Sequence, residues 1–249
     1  MSQSREASTG GGSLTVIGTG IRPQQLTPES RHALLEADDL LYLAAEPGGG
    51  SWLERLHPNA RSLEGCYVAG EERRSAYEAM VEAILEPVRR GRRVCAAFYG
   101  HPGVFVTPSH EAVRRAHADG FPARMLPAVS AEDCLYADLG IDPGRSGRQS
   151  YEATEFLEHP RPVDGRAYLI LWQISVIGER RAVSSPRYAG LAELAEALLA
   201  HYPPEHEVVV YEASPYPLVD AIVERLPLVA LAEEQVTPMA TLVIPPRER

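Results

Sequence analysis

Two sets of residues have types and spacings that could do chemistry. The first is Tyr67, Arg73 and Tyr77. Arg73 and Tyr77 are four apart and so share one face of a helix. Tyr67 precedes that helix and can fold back over it. A guanidinium fixed beside a phenol favours the phenolate and makes it available as a base. The same spacing also suits an arginine snorkelling among interface tyrosines. The second set is the run Tyr99-Gly100-His101-Pro102-Gly103-Val104-Phe105. Gly100, Pro102 and Gly103 make a rigid turn that brings backbone close to a ligand. Val104 and Phe105 supply an apolar wall, and Tyr99 and His101 supply polar groups at its mouth. Such a loop suits a neutral adenosine better than a triphosphate. Its composition also allows a plain surface turn between a strand and a helix.

Other chemistries are disfavoured by residue type. Gly18-Thr19-Gly20 follows an apolar strand, but Pro23 stands where the third glycine of a dinucleotide fingerprint would fall. There is no P-loop and no HExxH, and the eight histidines are scattered, so no metal is expected. Neither Ser109-His110 nor Ser130 lies in a GxSxG nucleophile elbow. All 24 basic residues are arginine, which removes lysine as nucleophile, Schiff-base former or phosphate ligand. A net charge of −10 argues against sequence-independent nucleic-acid binding, since no broad basic surface exists to displace counterions. The three cysteines, at 66, 95 and 134, form no CxxC, and their odd number argues against a disulfide framework. Reducing cytoplasm is the natural compartment, and Cys95, in an apolar run, reads as core.

The elements that must position these residues follow from periodicity. Residues 13–17 read as a buried strand entering the glycine turn. Thr27-Pro28-Glu29 is a helix start, with Thr27 as N-cap and Pro28 at the first helical position. Residues 40–44 form a second strand, followed by a loop with Gly48-Gly49-Gly50 and a short helix over 52–56. Residues 71–90 are the longest helical pattern, with Ala76, Met80, Ile84 and Val88 on one face. Residues 94–98 form a buried strand that delivers the Tyr99–Phe105 loop. A helix over 109–118 and a strand over 123–126 follow. The second half restarts at Ser130 with a helix over 132–139 and a loop over 142–150. It continues with a strand over 167–174, a helix over 191–201, a strand over 207–212, a helix over 218–226 and a last strand over 241–244. Alternating strands and helices predict a mostly parallel α/β sheet. The expected organisation is a disordered tail over 1–12, an N-terminal α/β domain over 13–127 and a C-terminal α/β domain over 128–249. Apolar runs are too short to span a bilayer, so no membrane partner is expected.

The strings FYGHPGVFV (98–106), MLPAVSAEDCLYADL (125–139), YEATEFL (151–157) and TLVIPP (241–246) resemble the borosin peptide backbone α-N-methyltransferases. These are a branch of the tetrapyrrole (corrin/porphyrin) methylase superfamily. The resemblance runs from about Leu14 to Pro246. It implies a two-domain tetrapyrrole-methylase-like (class III) α/β fold with the cofactor in the inter-domain cleft, and a homodimer. It implies S-adenosyl-L-methionine as methyl donor, with S-adenosyl-L-homocysteine as product. Matched motif by motif, Tyr99, His101, Val104, Phe105, Ser130 and Ala131 would line the cofactor, with Gln173, Ala213, Ala240 and Thr241. The family's catalytic Tyr/Arg/Tyr set maps onto Tyr67, Arg73 and Tyr77. In that role Tyr67 or Tyr77 takes the proton of a backbone amide, and Arg73 and Tyr99 stabilise its oxygen. Fungal members carry their substrate as a C-terminal extension. Read to Arg249, this sequence resembles the split systems, so the expected substrate is a separate precursor peptide bound in trans. The alternatives are a tetrapyrrole or other small-molecule methyltransferase of the same fold, and a non-catalytic cofactor- or peptide-binding module.

Overall fold

The computed structural model describes residues 11–45, 49–179, 181 and 189–247. The chain divides into two compact units, one ending at Ser130 and the other starting at Ala131. The expected tail lies outside the described residues over 1–10. Gly12, read as part of that tail, is buried, and a Cβ there would fall 1.9 Å from the Val88 carbonyl oxygen. Gly48 also lies outside the described residues.

In the first unit the order is β1 (Ser13–Gly18), α1 (Pro28–Glu36), β2 (Asp39–Leu43), α2 (Ser51–Leu56), β3 (Ala60–Ser62), α3 (Arg73–Arg89), β4 (Arg93–Phe98), α4 (Thr107–Ala118) and β5 (Ala123–Met125). The sheet runs β3-β2-β4-β1-β5, with every pairing parallel. The central strands β1 and β4 are buried on both faces, which is why they read as continuous apolar runs. One face packs Leu14, Val16, Ala96 and Phe98 against Met80, Ile84 and Val88 of α3 and Ala112 and Ala116 of α4. The other packs Ile17, Leu40, Cys95 and Ala97 against Leu34 and Leu53. Cys95 is therefore core, and burial pushes its thiol up to about 12. Thr27 caps α1 as its sequence indicates, its hydroxyl oxygen accepting the Ser30 N–H at 3.0 Å.

The second unit contains α5 (Ala131–Leu139), α6 (Pro143–Ser146), β6 (Arg148–Glu152), α7 (Ala153–Glu158), β7 (Tyr168–Trp172), α8 (Ala189–Leu199), β8 (Glu207–Glu212), β9 (Ile222–Pro227) and β10 (Thr241–Ile244). Its sheet, β6-β7-β10-β8-β9, is mixed: β6 and β7 are parallel, and β10 is antiparallel to both β7 and β8. This corrects the expectation of mostly parallel sheet throughout. Two segments also differ from their sequence reading. Residues 142–150, expected as a loop, hold α6 and most of β6. Residues 218–226, expected as a helix, instead enter β9, which pairs antiparallel with β8. Leu218, Ile222 and Leu226 have helical spacing, but only Leu226 is buried, and β-branched Ile222 and Val223 suit the extended edge position. Among the described residues, no helix is long and apolar enough to cross a membrane.

Candidate functional site

The first-unit topology sets a crevice. From β1 the chain passes through α1 to β2, on one side; from β4 it passes through α4 to β5, on the other. Adjacent β1 and β4 therefore send their exits in opposite directions, and ligands of open α/β sheets bind at such a switch point. Both exits are glycine turns. Gly20 donates to the Gly100 carbonyl at 3.3 Å, and Gly100 donates back to Gly20 at 3.0 Å. Gly20 has φ +71° and Gly100 has φ +68°, conformations that only glycine adopts cheaply. Gly18 is just as constrained, because a Cβ there would lie 2.2 Å from the Gly100 oxygen.

The loop beyond Gly100 is held by its own groups. His101 Nδ1 accepts the Gly103 N–H at 3.0 Å, so the neutral ring carries its proton on Nε2. The Val104 N–H donates to the His101 carbonyl at 3.2 Å. The Tyr99 N–H donates to the Leu43 carbonyl at 3.1 Å, tying the loop to β2. Val104 and Phe105 stand 39% and 47% exposed, an apolar ledge on a fixed backbone. Phe105 has φ +55°, a left-handed conformation uncommon for a bulky residue.

Tyr67 follows a short 3₁₀ turn, Glu64–Cys66, and Arg73 opens α3. The structure brings Tyr67 and Tyr77 edge to face, with ring centroids 6.5 Å apart and planes at 78°. Although Tyr67 is 38% exposed, partial desolvation is the main cause that pushes its phenol up to about 12, and the neighbouring Tyr77 adds to it. The Arg73 charge pulls the other way and is outweighed. The guanidinium acts on Tyr67 in the direction its sequence position suggests, toward the phenolate, but it is not the largest influence there. Arg115 of α4 braces α3, donating to Glu78 at 2.7 Å and to Glu82 at 3.2 Å.

The remaining site candidates lie apart in sequence. Ser130 is the last residue of the first unit, and Ala131 begins α5. Gln173, Ala213, Ala240 and Thr241 meet at one end of the second sheet. Antiparallel β10 starts at Thr241, opposite Tyr211, beside the carboxyl ends of β7 and β8. Gln173 is left-handed at φ 60° and ψ 36°, a second non-glycine residue in that region. Ala213, Ala240 and Thr241 are buried. A polar chain not legible in the sequence joins α5 to this sheet. Trp172 Nε1–H donates to Ser150 Oγ at 2.8 Å, and Ser150 donates to Glu132 at 3.3 Å. Glu132 also accepts from Tyr136 and pairs with Arg148. Burial first, then the Glu132 hydrogen bond, pushes the Tyr136 phenol up to about 12.

Similarity to known proteins bears on the family and the fold. The profile of the Tetrapyrrole (Corrin/Porphyrin) Methylases matches residues 13–224. A Gymnopus fusipes protein named as a methyltransferase and ribosomally synthesized cyclic peptide gymnopeptides precursor is 37% identical over 95% of this chain and 58% of its own length. The Omphalotus olearius omphalotin A precursor, also named a methyltransferase, is 36% identical over 97% of this chain and 59% of its own. The chain thus spans about three-fifths of the length of these two relatives. Uroporphyrin-III C-methyltransferase from Thermus thermophilus has the same fold, with a TM-score of 0.66 at 22% identity over 94% of this chain and 92% of that one. A structure of the same enzyme with S-adenosyl homocysteine gives 0.65 at 19% identity, over 94% of this chain and 97% of that one. The chain belongs to the tetrapyrrole methylase family.

Proposed function

We propose that this family member is a borosin-type S-adenosyl-L-methionine-dependent methyltransferase that N-methylates backbone amides of a precursor peptide. The carrying observation is the Gly20–Gly100 bridge, which fixes the Tyr99–Phe105 loop at the switch point with an exposed apolar ledge. That ledge fits an adenosine: Val104 and Phe105 offer apolar contact, and the His101 Nε2–H is left as a donor. Ser130, Ala131, Gln173, Ala213, Ala240 and Thr241 are the further residues proposed to hold the cofactor. The names of relatives 36–37% identical, which couple a methyltransferase with a peptide precursor, support the peptide half.

When bound, S-adenosyl-L-methionine supplies an electrophilic methyl group, whose bond to sulfur breaks as the bond to nitrogen forms, leaving S-adenosyl-L-homocysteine. The chain's own residues handle the amide. A peptide nitrogen has its lone pair delocalised into the carbonyl and must lose its proton to react. Tyr67 or Tyr77, as the phenolate, takes that proton and becomes a neutral phenol, leaving the negative charge on the amide. Arg73 and Tyr99 donate to the amide oxygen as charge develops there. Pushed up to about 12, the Tyr67 phenol is almost wholly neutral at neutral pH. If Tyr67 is the base, its phenolate is scarce but strong, better matched to a weak acid than an ordinary phenolate.

We further propose that the peptide is supplied in trans, to a homodimer working in the cytoplasm. Incubation with S-adenosyl-L-methionine and a separately supplied precursor is expected to give mass gains in steps of one methylene on backbone nitrogens. Methyl groups on side chains, or none on any peptide, would overturn the reading. Light scattering of the purified protein tests the dimer.

A further inference from the structure

Ser109 and His110 have no part in the proposed chemistry, yet both reach back into the cofactor loop. Ser109 sits in the first turn of α4 and is fully buried. Its hydroxyl faces two carbonyl oxygens, those of Val106 at 2.8 Å and of Pro102. The Val106 contact is the ordinary back-bond of a helical serine to the residue three before it. The Pro102 contact is not, because Pro102 lies in the loop, before the helix begins. His110 Nε2 lies 3.0 Å from the Gly103 carbonyl oxygen and acts as its donor. The Gly103 carbonyl, and those of Pro102 and Val106, which share the single hydroxyl proton of Ser109, are thus held from α4, on both sides of Phe105. Left-handed backbone at a bulky residue persists only where its surroundings over-determine it, and such strain gathers at ligand sites.

We infer that Ser109, seconded by His110, is a positioning residue that holds Phe105 in its left-handed conformation and so preforms the cofactor ledge. The inference rests on the proposal that this loop binds S-adenosyl-L-methionine. Without the clamp, Phe105 relaxes to ordinary backbone and the ledge must be rebuilt each time ligand binds. The clamp acts on the ligand-free loop, so its loss weakens binding and leaves turnover at saturation nearly intact.

The test is calorimetric titration of the full chain with S-adenosyl-L-homocysteine, with melting of the ligand-free protein measured alongside. Ser109→Ala is expected to weaken binding about tenfold (about 1.4 kcal/mol). Ser109→Thr, which keeps the hydroxyl, is expected to restore it. His110→Ala, at an exposed position where water can replace the ring, is expected to weaken binding about threefold with melting unchanged. With a peptide substrate, the Ser109→Ala defect is expected in KM for S-adenosyl-L-methionine, with kcat within about twofold. A folded Ser109→Ala protein that binds within twofold of the parent overturns the inference. If Ser109→Ala does not fold, a His110→Ala protein that binds as the parent does overturns it instead. A parent chain with no affinity for S-adenosyl-L-homocysteine defeats the cofactor reading itself, a separate outcome.

Discussion

Adding one methyl group at Gly18 should disturb both the sheet and the ledge. An ideal Cβ there would lie 2.2 Å from the Gly100 oxygen, 2.5 Å from Ala128 Cβ and 2.7 Å from Pro102 Cδ. None of these is the end of a flexible side chain. One is a backbone carbonyl, one a methyl on a short stem and one a proline ring. Overpacking a well-filled interior generally costs about 1–3 kcal/mol, and three rigid neighbours put Gly18→Ala at about 3 kcal/mol. That is a large share of the roughly 5–15 kcal/mol that holds a domain folded, yet not all of it. The oxygen most crowded is the one that accepts the Gly20 N–H, so relief of the clash displaces the Gly20–Gly100 bridge. Urea unfolding followed by circular dichroism should show the midpoint moving down with its slope unchanged. Titration with S-adenosyl-L-homocysteine should show binding weakened about tenfold, because the loop leaves its place. An unchanged midpoint together with an unchanged affinity would refute the packing argument. A lowered midpoint with full affinity would mean that the bridge supports the sheet and has no bearing on the ledge.

Tyr77→Phe keeps the ring that packs on Tyr67 and removes only the hydroxyl. It should abolish peptide methylation while S-adenosyl-L-homocysteine still binds, whereas a small-molecule methyltransferase would keep turning over its own substrate. Thr27→Ala should lower stability by about 1 kcal/mol, measured by urea unfolding, through loss of the N-cap bond to Ser30. Alkaline pH should destabilise the fold. The Tyr42 phenol, buried and bonded to Glu54 at 2.6 Å, is raised from 10 to about 12. A raised phenol favours the folded state while neutral, so this contribution is complete below pH 10 and is lost as pH climbs to 12. The loss from Tyr42 is about 2 kcal/mol, and Tyr42→Phe should flatten that part of the stability–pH curve.

Much of the first unit was legible because buried parallel strands leave an unmistakable mark. Residues 13–18 and 93–98 are apolar runs closed by glycine turns, and Thr27-Pro28 announces its helix. Edge strands leave no such mark. β9 exposes Ile222, Val223, Glu224 and Arg225, so no alternation separates an inside from an outside. Its leucine spacing mimics a helix until pairing with β8 decides otherwise. β6, with Arg148, Gln149 and Ser150, is polar enough to read as loop.

The site divides along the same physical line. Residue types single out Val104 and Phe105 as an apolar pair and Tyr67 and Tyr77 as candidate phenols, because those depend on local composition. What holds them depends on long-range contact. Gly20 and Gly100 are 80 positions apart, and nothing in either turn declares the other. The ionisation of Tyr67 is the sharper case. A neighbouring arginine argues for an easily formed phenolate, and the Arg73 charge does act in that direction. Partial desolvation of the phenol, at a residue that stays 38% exposed, acts against it and outweighs it. The surroundings that desolvate a side chain cannot be read from a spacing of six residues. Under the proposed function, a base that is neutral at rest must be ionised in the loaded site, where the cationic cofactor and Arg73 both favour the anion. The pH profiles of the free and loaded enzyme should therefore differ. With Tyr67 as base, kcat/KM should still be rising at pH 10, while kcat should level off at lower pH. Identical profiles, or a plateau in kcat/KM well below pH 10, would exclude Tyr67 as the base and leave Tyr77.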